Sequence, residues 1–405
     1  MVIIVGSGAG GAIIAMKLAL ANIPVTLIEK GPLIDSKDAF DYYDESDEGV
    51  DLLKTTCVGG STIVAAGNGV RLLEDEFESL GIPISKELDE VEELLSIHEL
   101  DDDHFGKGSQ KFMDAAEKLN LNPIKMPKFI RNEDCVPCGS CAYGCPLNAK
   151  WSSADFVKIA VENGAELLDS TEVVDLSVED NKIKGVYVKS ENSDETKFIG
   201  SDLVVLSAGA INSAILLQKI GLPAGEKLFL DPFVTVGGVL KNIGFNKDVL
   251  MTGLVVGENY VLAPHFSQFV AKKLRKYGAE DGDILSIMVK IPDDTFGQVK
   301  DGKVIKQNSI KDVSLIAEGS AAAGAILVES GVDPKTIVST NLRGAHPGGT
   351  AAIGEIVDNN LKTEIEGLYV GDASVIPKAP GAPPLLVILA LSLRLSKHLL
   401  SELEN

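Results

Sequence analysis

The opening residues constrain the chain more than any other stretch. Val2 to Val5 is a short apolar run that breaks into Gly6-Ser7-Gly8-Ala9-Gly10-Gly11 and then into a helical pattern through Leu20. A second strand-like run, Val25 to Glu29, follows, so the segment reads as one βαβ unit. Glycine in such a turn lets the chain tighten, lets backbone N–H groups approach a pyrophosphate, and lets helix pack close on strand. Glu29 ends the second strand about twenty residues on, where a carboxylate can accept both ribose hydroxyls. Strand, turn, helix and acidic residue together predict a dinucleotide site on Gly6, Gly8, Ala9, Gly11, Glu29 and Lys30.

The far end of the chain narrows the choice of dinucleotide. Gly367-Leu368-Tyr369-Val370-Gly371-Asp372-Ala373 reads as another strand running into a glycine turn that carries a carboxylate. Two distant ends of the chain on one cofactor suit a dinucleotide with a second, extended half, meaning FAD. Between them, residues 35–50 are acidic and loop-like, and residues 73–130 are polar with the helical period in Leu88–Glu99 and Gln110–Leu119. Strand-like runs follow at Glu172–Val178, Lys182–Val188 and Leu203–Leu206. Residues 228–335 mix strand-like stretches with a Gly/Ala-rich helix around Ala317–Leu327, and an apolar helix near 384–402 closes the chain.

The length of 405 residues fits two or three domains at about 150 residues each. A formal charge of −22 repels phosphate backbones and anionic lipid, which argues against nucleic-acid and membrane-surface partners. The apolar N-terminal run lacks the basic flank and cleavage site of a signal peptide. The apolar run Leu385–Leu393 is roughly half of what a bilayer requires. A cytoplasmic location is therefore expected, with a small-molecule substrate and no membrane span. Four of the five cysteines fall between Cys135 and Cys145. A disulfide framework spreads its cysteines, whereas this cluster points to metal or redox chemistry in a reducing compartment.

Taken together, Val5–Gly31, Gly59-Gly60-Ser61-Thr62, Val205–Ser213, His346-Pro347-Gly348-Gly349-Thr350 and Gly367–Pro377, followed by a terminal helix, resemble a glucose–methanol–choline (GMC) flavin oxidoreductase. The resemblance implies an α/β fold: a discontinuous Rossmann-like FAD-binding domain (1–72, 151–230 and 336–405) with a smaller α+β substrate domain (73–150 and 231–335). It puts Gly6, Gly8, Gly11 and Glu29 on the ADP half of FAD, with the Val173 backbone at the adenine. Gly59, Gly60, Ser61 and Thr62 would face the isoalloxazine or pyrophosphate, and Ala208 and Gly209 the adenosine side. Gly371, Asp372 and Ala373 would approach the ribityl chain. His346 corresponds to the family's active-site histidine, and an imidazole titrating near 6.5 can take a hydroxyl proton while hydride leaves carbon for the flavin. The resemblance is weakest over 73–130 and 232–335, where a substrate would bind.

Two departures stand out. The family usually carries a second His or Asn just before a proline in the last loop, and here that place holds Pro383, which offers no side-chain donor or acceptor. His265 could supply the missing polar group. Ala65 stands where many members have an asparagine.

Cys135-x2-Cys138-x2-Cys141-x3-Cys145-Pro146 has the spacing with which bacterial ferredoxins hold iron–sulfur clusters. A 4Fe-4S cluster closed by Cys145 or Cys57, a 3Fe-4S cluster, zinc and bare thiols are all compatible with it. Cys57 itself reads as a small buried hydrophobe. His98, His104 and His398 read as solvated, and Asp101-Asp102-Asp103 as a solvated face. The combined expectation is an FAD-dependent dehydrogenase acting on a CH–OH group, with an iron–sulfur cluster passing electrons to a soluble acceptor such as a ferredoxin. The alternatives are the reverse reaction on a carbonyl or activated double bond, an electron-transfer flavoprotein subunit without its own substrate, and a cluster-free alcohol oxidase.

Overall fold

The computed structural model describes residues 1–44, 52–193, 195–293 and 297–404, so residues 45–50 of the acidic loop-like stretch lie outside the described residues. Val2–Val5 is the middle strand of a five-stranded parallel sheet. The spatial order is Leu368–Val370, Val204–Leu206, Val2–Val5, Val25–Ile28, Glu166–Leu168. The inner strands are aliphatic apart from Thr26 and buried on both faces, as parallel strands covered by helices must be. Strands from both ends and the middle of the sequence meet in this one sheet, and their carboxyl ends set the glycine turns Gly6–Gly11, Ser207–Gly209 and Gly371–Ala373 side by side.

The first helix, Ala9–Leu20, packs against the terminal helix Leu385–Leu403 and against Ser153–Glu162. Its amino-terminal turn is pressed onto the last strand. A methyl group at Gly10 would stand 1.7 Å from the Gly371 carbonyl oxygen. Gly10→Ala therefore forces helix and strand apart. We expect a loss of about 1–3 kcal/mol or more, read as a lower melting temperature together with weaker flavin retention. An unchanged melting temperature would contradict this packing.

A second, six-stranded antiparallel sheet has the order Val338–Ser339, Phe233–Val239, Ile284–Lys290, Val261–Pro264, Gly253–Val256, Ile124–Lys125. The helix Ile310–Glu329 lies across it, with Gly319 close enough to Val289 and Tyr260 that a Cβ would stand 2.5 Å from Val289. Thr171–Glu179, Lys182–Ser190 and Thr196–Gly200 form a separate antiparallel sheet.

The helix expected at Leu88–Glu99 is Ser85–Leu94, because Ser96 takes a left-handed φ of 49° and turns the chain away. That helix, with Phe77 and Ile82, packs into the apolar core beneath the terminal helix and not beside the second sheet. The strand Thr196–Gly200 escaped notice because most of its residues are exposed and carry no apolar alternation. Among the described residues no helix is long and apolar enough to cross a membrane.

Candidate active site

The nucleotide end is built from turns with room above them. Gly6 takes a φ of 97°, and a side chain at Gly8 would meet nothing within 4 Å. No side chain caps the first helix at Gly8, so its amino-terminal N–H groups and partial positive charge face that space. Gly60 approaches from the other side: a Cβ on it would lie 3.3 Å from Gly8 Cα. The Gly59 N–H donates to Ser7 Oγ at 3.0 Å, and Thr62 Oγ1 donates to the Gly59 carbonyl at 2.6 Å. Ser61 Oγ accepts from the Thr55 N–H. An uncapped helix start facing an open glycine cradle fits the pyrophosphate of a dinucleotide.

Two carboxylates are engaged by the protein's own donors. Glu29 accepts from the Ser7 N–H (2.9 Å), Ser7 Oγ (2.7 Å) and the Gly31 N–H (2.9 Å). A carboxylate offers about four acceptor positions, and the protein itself uses three of those on Glu29. Burial raises its pKa, and those three hydrogen bonds oppose the rise. Asp372 spends all of its positions on the protein. Oδ2 takes the Gly209 N–H and Ser213 Oγ, and Oδ1 takes the Ser374 N–H and Oγ. Its side chain thus clamps the last glycine turn to the Gly209–Lys219 helix, and the Gly371 backbone is engaged as well, its N–H by the Leu206 carbonyl and its carbonyl by Ser207 Oγ and Ser392 Oγ. Ala208 caps that helix, and Val173 sits at a bulge in its strand. Lys30 is turned outward, paired with Glu172 at 3.0 Å.

His346 is largely enclosed, yet 23 % of its side chain is open. Two residues from elsewhere converge on it. Asp231 Oδ2 is 3.0 Å from His346 Nδ1, and Asp231 Oδ1 accepts the Gly381 N–H at 2.9 Å. That second bond ties the loop carrying Pro383 to the same carboxylate that holds the histidine. Lys290 Nζ stands 3.1 Å from His346 Nδ1 and 3.5 Å from Nε2, and 5.3 Å from the Phe233 ring centre. Lys290 ends its strand opposite Phe233, two residues after Asp231. Asp231 itself holds a left-handed φ of 47°, a conformation that non-glycine residues keep only where the surroundings impose it.

The electrostatics follow from burial. Burial pushes Asp231 up and Lys290 down from their ordinary values, and the charge of each opposes the other's shift. His346 is held well below 6.5 by burial and by the Lys290 ammonium, which keeps the imidazole neutral. With the carboxylate at Nδ1 accepting, that nitrogen carries the hydrogen and Nε2 keeps its lone pair. His265, expected as the second polar group, is pulled down to about 4 by burial and by Lys290, Arg343 and Lys128, and its buried Nδ1 has no partner. Lys290 is the group beside His346. Asp231 and Lys290 were missed because neither belongs to a motif.

The four clustered cysteines are unpaired thiols. Cys135, Cys141 and Cys145 pack around Leu100, Ile130, Ala149 and Val249, while Cys138 is exposed. Burial pushes the Cys135 thiol up to about 12, reinforced by Cys141, Cys145 and Cys138. The turn Cys141–Tyr143 packs directly against Gly60–Val64, the continuation of the glycine cradle, and against Ser36–Tyr42. Tyr43 OH donates to the Ala142 carbonyl at 2.7 Å, and the Cys145 N–H donates to Ser36 Oγ at 3.0 Å. Among the described residues, no three His, Cys, Asp or Glu side chains form a site for a metal ion. Cys57 is fully buried among Ala39, Ile63 and Val64, as a small hydrophobe would be.

His104, expected to be solvated, is only 8 % exposed. Its Nε2 lies 3.1 Å from the Cys135 carbonyl and its Nδ1 is buried without a partner. The neighbouring Leu100 and Phe105, which pack with the cysteines, draw its turn inward. His98 and His398 are partly open, as expected.

Profiles of the GMC oxidoreductase family match residues 52–264 and 306–392. An uncharacterized protein of Methanocaldococcus jannaschii is 32% identical over 407 residues, covering 98% of this chain and 99% of its own. A long-chain-alcohol oxidase of Arabidopsis thaliana is 25% identical, with 100% of this chain matching 67% of the plant enzyme. Among solved structures, pyridoxine 4-oxidase from Mesorbium loti superposes with a TM-score of 0.76 at 16% identity, covering 98% of both chains. Formate oxidase of Aspergillus oryzae, a protein studied for its FAD modification, gives 0.78 at 17% identity, covering 100% of this chain and 98% of that one.

Proposed function

The chain belongs to the GMC oxidoreductase family, and on that premise we propose that it is an FAD-dependent dehydrogenase that oxidises a CH–OH group. In this reading electrons leave through an iron–sulfur cluster on Cys135, Cys138, Cys141 and Cys145 to a soluble acceptor such as a ferredoxin. The reading is carried by the direct packing of Cys141–Tyr143 on Gly60–Val64, which puts the cysteines against the turn expected to face the flavin. The alcohol oxidised by the plant relative, as its name states, supports a CH–OH donor. A cysteine-held cluster also suits a reducing cytoplasm.

When bound, FAD supplies the acceptor for the hydride that leaves the substrate carbon, and a cluster supplies a one-electron exit. The protein's own part is proton handling at one oxygen. His346 Nε2 takes the hydroxyl proton as the hydride leaves, so the carbon–oxygen bond becomes a carbonyl and the imidazole becomes cationic. Asp231 fixes the tautomer that leaves Nε2 free and steadies the charge that forms. Lys290 donates to the substrate oxygen while that oxygen is losing its proton, which is the work Pro383 cannot do.

This division of labour sets the pH dependence. Neutral His346 persists well below pH 6.5, so kcat/KM holds its level through that pH. The useful form of Lys290 is the protonated one, and burial lowers its pKa. The rate therefore falls on the alkaline side at a pH below the ordinary lysine value of about 10.4. In Lys290→Met the alkaline limb should vanish along with about 10²–10³ in rate; an unchanged alkaline limb would remove Lys290 from the mechanism.

The function is tested by adding hydroxyl compounds to the oxidised protein without oxygen. Wild type should lose its flavin absorbance with at least one class of alcohol, and His346→Ala should not. A flavin that no hydroxyl compound bleaches, but that a reduced ferredoxin does, would mark an electron-transfer subunit.

A further inference from the structure

A buried ion pair grips the chain one residue from Asp231 and takes no part in the chemistry described so far. Lys306 Nζ stands 3.0 Å from Asp293 Oδ2, and the two side chains are 2 % and 0 % exposed. The stem of Lys306 passes Gly297, where a Cβ would stand 2.9 Å from Lys306 Cδ. The same Asp293 oxygen accepts the Leu230 N–H at 2.8 Å. The Leu230 carbonyl in turn accepts from the Ala345 N–H at 2.8 Å, one residue before His346. Reciprocal backbone bonds join Phe229 to Gly348 and Phe233 to Arg343. The stretches that bear Asp231 and His346 are thus laced together, and the Asp293 carboxylate holds the lacing at Leu230. Pro292 adds a second contact: a Cβ on Gly381 would stand 2.9 Å from Pro292 Cδ, and the Gly381 N–H is the donor on Asp231 Oδ1.

A buried ion pair adds little stability over apolar side chains of similar volume, and its use lies in fixing one arrangement of the chain around it. Asp231 requires such fixing, because its left-handed φ of 47° is kept only where the surroundings impose it. We infer that Asp293, itself held by Lys306, is a positioning residue that keeps the Asp231 carboxylate on His346 Nδ1. The inference rests on the reading of His346 as the base whose tautomer Asp231 fixes. Freeing the Leu230 N–H lets Asp231 relax, and its carboxylate leaves the 3.0 Å contact with Nδ1. The imidazole then also populates the tautomer with hydrogen on Nε2, which cannot take a proton there. A purely structural ion pair would affect the melting temperature and leave the tautomer alone.

That difference decides the test. Two double variants of the FAD-bound protein remove both charges, so no buried ion is stranded. Asp293→Leu with Lys306→Met deprives the Leu230 N–H of its acceptor, whereas Asp293→Asn with Lys306→Met keeps an oxygen for it. The tautomer is read by nitrogen NMR on histidine-labelled protein, with the His346 signals assigned by their loss in His346→Ala. Wild type and the Asn variant should carry the hydrogen on Nδ1, and the Leu variant should show a mixture. With FAD at wild-type content, the Leu variant should lose about tenfold to a hundredfold in kcat with KM little changed, while the Asn variant stays near wild type. Combined with Asp231→Asn, the Leu variant should cost little more, because both act on one contact. A wild-type tautomer in the Leu variant, or a loss that adds in full to that of Asp231→Asn, would overturn the inference. A wild-type flavin that no hydroxyl compound bleaches would overturn the base reading instead, and the tautomer would still decide the positioning. If the Leu variant does not fold, Asp293→Glu decides alone. It keeps a charge for Lys306 and displaces the carboxylate from Leu230 by one methylene, so a mixed tautomer is expected and a wild-type one would overturn the inference.

Discussion

Replacing His346 with alanine lowers kcat by about 10²–10⁴-fold, the usual worth of a positioned general base, while FAD stays bound. Its side chain is partly open, its imidazole is held neutral, and its Nδ1 is occupied by Asp231. None of the turns that build the nucleotide cradle depends on its side chain: Gly59 bonds Ser7, and Asp372 bonds Gly209 and Ser213. Loss of flavin in the variant would therefore count against this separation of binding from chemistry. Asp231→Asn offers a finer check. Its amide can present either an oxygen or an N–H to Nδ1, and the N–H would select the tautomer with no lone pair on Nε2. The loss should fall within the same range, with KM less affected. Full activity in Asp231→Asn would show that the histidine acts without a fixed tautomer.

Cys138→Ser should strip or convert the cluster while leaving FAD in place. Cys138 is the exposed member of the four and lies outside the apolar patch that holds Cys135, Cys141 and Cys145, so its loss barely disturbs packing. The backbone of the loop is fixed independently, with Gly139 against the Asn246 carbonyl and Gly144 against the Ser36 carbonyl. A substrate-reducible flavin that no longer passes electrons to a one-electron dye is the expected behaviour. Unchanged iron content in the variant would remove Cys138 as a ligand, and undiminished dye reduction would remove the cluster from the electron path.

The sequence announced the cradle far better than the catalytic cluster. Val2–Glu29 was legible because strand, turn and helix are contiguous, and each residue type there has one evident use. His346 was legible through its neighbours in a motif. Asp231 and Lys290 were not, because 115 and 56 residues separate them from the histidine. Pairing of Phe233–Val239 with Ile284–Lys290 brings Asp231 and Lys290 together, and no local pattern encodes that pairing. Lys290 ends the wholly buried strand Ile-Leu-Ser-Ile-Met-Val-Lys, where by sequence alone it reads as an edge residue. His104 misled as well, since three aspartates precede it and the hydrophobic contacts that bury its turn are made across the cysteine loop. The hydrogen-bond partners of Glu29 and Asp372, namely Ser7, Ser213 and Ser374, carried no signal of their own.

The most direct test of the account is an absorption spectrum of protein purified without oxygen, with FAD, iron and acid-labile sulfide measured on the same sample. The account predicts flavin bands over a broad shoulder at about 400 nm, with iron and sulfide in whole-number proportion to FAD. A clean flavin spectrum with no iron would contradict it. The GMC fold and its FAD chemistry would stand, the four cysteines would be bare thiols, and the reduced flavin would have to be reoxidised directly, as in an oxidase.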